Sequence, residues 1–217
     1  MVQNLLIISC VIFVSLLLVA EYRASVGLVS GYLKWLSKPA ASLVFVLLAL
    51  AGGALETSYG IWILAGLVLC MAGDIFLIPN AEKAFLAGMA AFALGHLAYI
   101  GAFLGTGPEI SGLFLIGSAG MTAMAILALR WLWPTLAAFR APVAAYSAII
   151  AIMVATSFMA SPGNSSAPNL TVIAGAIGFA VSDLAVAREK FVTQKFFNKL
   201  WGLPLYYGAQ LLLASSV

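Results

Sequence analysis

The chain has 217 residues, of which 64% are hydrophobic and only 8% charged, and its mean hydropathy is +1.13. Soluble domains carry about 25% charged residues, so a water-soluble globule is excluded and one polytopic membrane domain over residues 1–217 is expected. The formal net charge of +3 is too small to argue for nucleic acid, and membrane lipid is the expected surrounding.

Hydrophobic runs recur at about 5–20, 39–54, 60–78, 84–104, 111–131, 141–160, 170–187 and 200–216. Each approaches the roughly 20 apolar residues that a bilayer core requires. The reading is an all-α integral membrane protein, an eight-helix transmembrane bundle, with seven helices as the alternative because the first two runs are short. Residues Met1 to Asn4 carry no basic side chain, whereas Arg23, Lys34 and Lys38 follow the first run. That pattern favours a retained helix over a secretory leader. All ten Lys and Arg residues fall in, or at the edge of, the segments between runs 1 and 2, 3 and 4, 5 and 6, and 7 and 8. The Lys/Arg bias of short loops then puts these loops in the cytoplasm and both termini outside, in a bacterial inner membrane. Cys10 and Cys70 lie inside apolar runs and read as small buried hydrophobes rather than a disulfide framework.

The third run, Ile61 to Ile78, is apolar or small throughout except for Asp74, and the seventh repeats the pattern around Asp183. An acid inside such a helix costs on the order of 2–3 kcal/mol to insert, so each calls for a partner or a task. The two lie 109 residues apart, near half the chain length, and Ala-Gly precedes each acid by a similar interval. This spacing suggests two parallel four-helix halves. Counted from the runs, each acid stands four residues before its cytoplasmic end, about 6 Å inside the boundary. The outward loop from Ser161 to Asn169 reads as a turn-rich cap with two glycosylation-type triplets. The segment from Arg188 to Lys199, where bases alternate with Phe191, Phe196 and Phe197, reads as interfacial.

Other polar groups fall on the same half of the bundle: Tyr146, Ser182, Tyr206, Tyr207 and Gln210, with His96 deeper. Gly73, Gly88, Gly95, Gly175 and Gly178 allow close helix approach. The plain reading of either acid alone is an ion pair with Lys83 or Arg188 at the interface. His96 is the only histidine, which excludes a multi-histidine zinc site and a serine triad, and neither a nucleophile elbow nor a Walker loop is present. No metal and no cofactor are expected. What remains for chemistry is two carboxyls, several phenols, an amide and one imidazole.

A set of patches spread in order along the chain carries a resemblance. They are Lys38-Pro39, Gly73-Asp74, then Phe85, Gly88, Phe92, Gly95, His96 and Tyr99. They continue with Pro142 to Tyr146, Gly175-Ala176, Phe179, Ser182-Asp183, and Tyr206 to Gln210. In these the chain resembles the YhhN-type lysoplasmalogenase family, departing from it at Leu184 and Arg188, where a serine and an asparagine are usual. The resemblance implies a membrane hydrolase that cleaves the vinyl ether bond of lysoplasmenylethanolamine or -choline, a lysophospholipid, to fatty aldehyde and glycerophospho-base. It also implies that Asp74 and Asp183 are the catalytic pair. The residues suit that chemistry, since vinyl ether hydrolysis is acid-catalysed and parallels glycoside cleavage by two carboxyls. The pair is one coupled unit, with burial and mutual repulsion keeping one acid protonated. His96, Tyr99, Tyr146, Ser182, Tyr206, Tyr207 and Gln210 are the candidate substrate-binding residues, and Lys83 or Arg188 the candidates for the phosphate. The competing readings are a proton- or cation-coupled transporter, since paired membrane acids also mark ion pathways, and a lipid-binding scaffold braced by the acids.

Overall fold

The computed structural model describes residues 1–29, 31–107, 110–161 and 169–217, and all regular structure among them is helical. Eight α-helices follow one another: α1 (Val2–Ser25), α2 (Gly31–Ala51), α3 (Ser58–Phe76), α4 (Glu82–Leu104), α5 (Gly112–Leu132), α6 (Arg140–Ser157), α7 (Leu170–Phe191) and α8 (Phe196–Ala214). Seven of them, α1 to α7, are long and apolar enough to cross a membrane. The chain is a multi-pass membrane protein. The eighth helix has comparable length but carries Asn198, Lys199, Tyr206, Tyr207 and Gln210, which face inward and lower its hydropathy.

Helix starts follow local chemistry. Thr57 accepts from the Gly60 amide to cap α3, and Ser111 accepts from the Phe114 amide to cap α5. Asn169 caps α7, its side-chain oxygen accepting from the amides of Thr171 and Val172. These contacts satisfy amides that have no partner within the helix. The second glycosylation-type triplet therefore begins at a helix cap; the first, at Asn164, and most of the expected loop cap lie outside the described residues.

Consecutive helices pair closely, α1 with α2, α3 with α4 and α7 with α8, while α8 also closes against α1, α2 and α3. Phe45, Tyr99, Phe103, Phe179 and Tyr207 are fully buried in the central core. By contrast α5 buries only Met121 and Leu132 and turns Leu113, Leu115, Ile116, Ile126 and Leu127 outward, as a lipid-facing helix requires.

Three boundaries differ from the sequence reading. Helix α2 starts at Gly31, so Lys38 and Pro39 lie within it and Lys38 is buried. Hydropathy alone drops at a lysine; the helix continues because a carboxylate meets that charge. Helix α7 continues to Phe191 and α8 begins at Phe196, leaving only a short link where an interfacial segment was expected. Phe191 turns inward against Phe85 and Phe139. Consequently Asp74 stands two residues before the end of α3, and Asp183 stands eight before the end of α7, instead of four for both.

Close packing of α3 on α4 rests on glycine. A Cβ at Gly66 would overlap the ring of Tyr99, and one at Gly95 would come within 2.8 Å of the Cys70 sulfur. Small residues let membrane helices approach in this way. Gly66→Val should therefore destabilise the bundle by about 1–3 kcal/mol through overpacking, seen as a lower melting temperature of the detergent-solubilised protein.

Candidate functional site

Lys34, Lys38 and Ser42 succeed one another at intervals of four residues and so form one stripe along α2. Lys38 and Ser42 on that stripe meet Asp74 on α3. The Lys38 ammonium lies 3.3 Å from Asp74 Oδ1, with both side chains almost wholly buried. Ser42 donates to Asp74 Oδ2 at 2.6 Å, and the Tyr206 hydroxyl, reaching from α8, donates to the same oxygen at 2.7 Å. Asp74, on α3, is thereby tied to two further helices, α2 and α8.

Behind it runs a chain of supporting groups. Gln210 donates to the Tyr206 oxygen at 3.3 Å and accepts from Tyr99 at 2.7 Å. The Tyr207 hydroxyl lies 3.3 Å from both the Ser42 hydroxyl and the Lys38 carbonyl. These contacts fix the rotamer of Tyr206 and the register of α2 against α8.

Asp183 on α7 has different surroundings. Tyr146 on α6 donates to its Oδ2 at 3.1 Å. His96 Nε2, on α4, lies 3.9 Å from the same oxygen, beyond hydrogen-bond length, and has no hydrogen-bond partner among the described residues. The imidazole is wholly buried, tilted on the Phe179 ring at 4.5 Å between centroids. No lysine or arginine approaches Asp183 within ion-pair distance among the described residues, and its side chain retains 17% exposure against 3% for Asp74.

Both aspartates line one cavity of about 570 Å³, within the usual size range for small-molecule sites. Its wall draws on the C-terminal ends of α1, α3, α5 and α7 and the N-terminal ends of α2, α4, α6 and α8. Successive helices therefore run in opposite senses, and the cavity occupies one end of the bundle. The wall from α5 is apolar, with Met121, Met124 and Ala128; other parts carry Glu21, Lys34 and Lys199. Among the described residues no hydrogen bond joins Asp74 to Asp183, and no cluster of His, Cys, Asp and Glu could hold a metal ion.

Of the residues singled out from sequence, Tyr146, Ser182 and Tyr206 line this cavity together with the two aspartates. His96, Tyr99, Tyr207 and Gln210 stand one layer behind it. Ser182 spends its hydroxyl on the Phe179 carbonyl at 2.7 Å. Neither Lys83 nor Arg188 lines the cavity, and Arg188 donates to Asn198 instead. The sequence reading missed Lys38 as the partner of Asp74, along with Ser42, Glu21, Lys34 and Lys199. The i, i+4, i+8 spacing of Lys34, Lys38 and Ser42 at the start of an apolar helix was the available signal.

Fold and cavity together define a multi-pass membrane protein with a carboxylate-lined site at one end of its helix bundle. The chain belongs to the YhhN family, whose model matches residues 33–217. It is 36% identical over 181 residues to Lysoplasmalogenase TMEM86B of Rattus norvegicus, covering 82% of this chain and 70% of that protein. To Lysoplasmalogenase TMEM86A of Bos taurus it is 34% identical over 160 residues, 71% of this chain and 64% of that one. A lysoplasmalogenase of Mycobacterium bovis is 31% identical over 158 residues, 67% and 55% of the two chains. No solved structure gives a significant match.

Removing one member of a buried ion pair strands the other, at about 3–5 kcal/mol. Lys38→Met should therefore lower the melting temperature sharply, and adding Asp74→Asn to it should recover much of the loss. A thermal-shift series on the two single variants and the double variant measures this coupling.

Proposed function

We propose that this protein is a lysoplasmalogenase-like ether hydrolase that cleaves the vinyl ether of a lysoplasmalogen to fatty aldehyde and glycerophospho-base. The observation that carries this reading is the pairing, around one cavity, of a fully satisfied carboxylate with one that has a single phenolic donor. The names of the relatives supply the substrate class.

In this reading the two carboxyls divide the roles according to that asymmetry. Asp74, held by a lysine, a serine and a tyrosine, is the resident anion. Asp183, facing the cavity with no lysine or arginine beside it, holds the proton. It delivers that proton to the alkene carbon distal to the ether oxygen, leaving an oxocarbenium ion and a carboxylate. The charge of Asp74 steadies the cation. Water adds at the carbon bonded to oxygen, and the proton it sheds returns to Asp183. The resulting hemiacetal collapses to aldehyde and free hydroxyl, so both carboxyls end as they began. This is general acid–base catalysis of the kind two carboxyls perform on glycosides. Tyr146 orients Asp183, and Tyr206 orients Asp74. The alkenyl chain lies along the methionine-lined wall of α5, and the cavity opens to the cytoplasmic leaflet, the side of the basic loops.

The same site supports an organisation in two four-helix halves. Each aspartate sits on the third helix of its half, α3 or α7. Each meets the second helix of its own half: Asp74 meets Lys38 and Ser42 on α2, and Asp183 meets Tyr146 on α6. Each also faces the fourth helix of the other half, Asp74 at Tyr206 and Asp183 at His96.

Purified protein in detergent, given lysoplasmenylethanolamine, should release fatty aldehyde. Asp183→Asn should reduce release by about 100-fold or more while remaining monodisperse in gel filtration; Asp74→Asn alone strands Lys38, so the same loss is read on the charge-balanced Lys38→Met/Asp74→Asn variant. Full activity in either variant would remove the pair mechanism. Absence of aldehyde from the parent protein, with uptake into vesicles driven by a pH gradient, would instead mark a transporter.

A further inference from the structure

A group of charges in the cavity wall takes no part in the chemistry above. Glu21, near the end of α1, is only 5% exposed. Its Oε1 lies 2.8 Å from the Lys34 ammonium on α2, and its Oε2 lies 2.7 Å from the Lys199 ammonium on α8. Lys199 also stands 3.5 Å from Glu189 Oε1. All four side chains line the same cavity as Asp74 and Asp183. We propose that Lys34 and Lys199, set on Glu21, form the subsite for the phosphodiester of a lysophospholipid head group; this rests on the ether-lipid reading of the aspartate pair.

Three features point to a ligand. First, the carboxylate lies behind and the ammonium groups in front, since the side chains of Lys34 and Lys199 keep 21% and 31% exposure against 6% for Glu21. Glu21 therefore aims two cations into the cavity. Second, each ammonium has three donors. Lys34 spends one on Glu21, and Lys199 spends its contacts on Glu21 and Glu189, so each retains a donor for a phosphate oxygen. Third, the spacing matches the substrate. Lys34 precedes Lys38 by four residues on one helix face, a rise of about 6 Å, and Lys38 grips Asp74. The glycerol carbons between an sn-1 ether oxygen and an sn-3 phosphate span a comparable length. A vinyl ether held at the aspartates thus brings its phosphate to Lys34 and Lys199.

Binding to the full-length protein in detergent tests this without turnover. The probes are a saturated, uncleavable 1-O-alkyl lysophosphatidylethanolamine and the phosphate-free 1-O-alkylglycerol, followed by calorimetry. The parent protein should bind the phosphate-bearing lipid about tenfold or more tighter, as charge-assisted hydrogen bonds warrant. Lys34→Gln and Lys199→Gln should each erase most of that advantage and leave alkylglycerol binding unchanged. Equal affinity of the parent protein for the two lipids would overturn the proposal, and so would equal weakening of both in the variants, the mark of a helix brace alone. If a variant fails to fold, the comparison on the parent protein still decides. Soluble glycerophosphoethanolamine should compete for the site; equal competition by inorganic phosphate at the same concentration would indicate a free-anion site and refute the head-group assignment. Because the ether is not cleaved, a failed hydrolase reading leaves these measurements intact.

Discussion

A lysine and an aspartate face each other inside the helix bundle, and the rest of the site is arranged around that ion pair. Lys38 and Asp74 are both nearly removed from solvent, a placement in which either one alone would be strongly destabilising. Together, with Ser42 and Tyr206 completing the coordination of the carboxylate, they fasten α2, α3 and α8 at one depth. A buried charge pair of this kind is weak evidence for stability in itself. Its consequence is specificity of register: α2 cannot slide or rotate on α3 without leaving an uncompensated charge.

That register positions what lies further along the same face. One turn toward the start of α2 stands Lys34, drawn with Lys199 onto Glu21. Across the cavity stands Asp183, supported by Tyr146 and flanked by a buried imidazole that makes no hydrogen bond through Nε2. The two acids, alike in local sequence, are thus unlike in environment. One carboxylate meets a lysine, a serine and a tyrosine, and the other a single phenol. The phenols and the amide that looked like substrate contacts in the sequence sort into two layers. Tyr146 and Tyr206 reach the cavity, whereas Tyr99, Tyr207 and Gln210 hold the reaching groups in place.

The balance of polar and apolar lining also explains the weak hydropathy of α8. It is the helix that contributes most to the interior network, through Asn198, Lys199, Tyr206, Tyr207 and Gln210, and its position against α1, α2, α3 and α7 gives those groups partners. At the other extreme α5 offers almost nothing to the core and presents apolar side chains outward. A membrane protein can be polar inside and apolar outside because its backbone is satisfied within each helix.

Composition and the spacing of apolar runs were enough to determine a multi-pass helical membrane protein, with Asp74 and Asp183 marked out as isolated acids in apolar surroundings, because transfer from water to lipid penalises every unpaired polar group. Helix-packing glycines were legible for the same reason, since small residues stand out among large apolar ones. The tertiary structure alone decided which groups meet the acids. Lys38 read as a loop base because hydropathy counts a lysine as polar wherever it stands; only the approach of α3 shows that its charge is matched and that the helix runs on through Pro39. Likewise nothing local to Glu21, Lys34 or Lys199 ties them together: Glu21 and Lys199 are 178 residues apart, and a contact that distant depends on how the helices assemble.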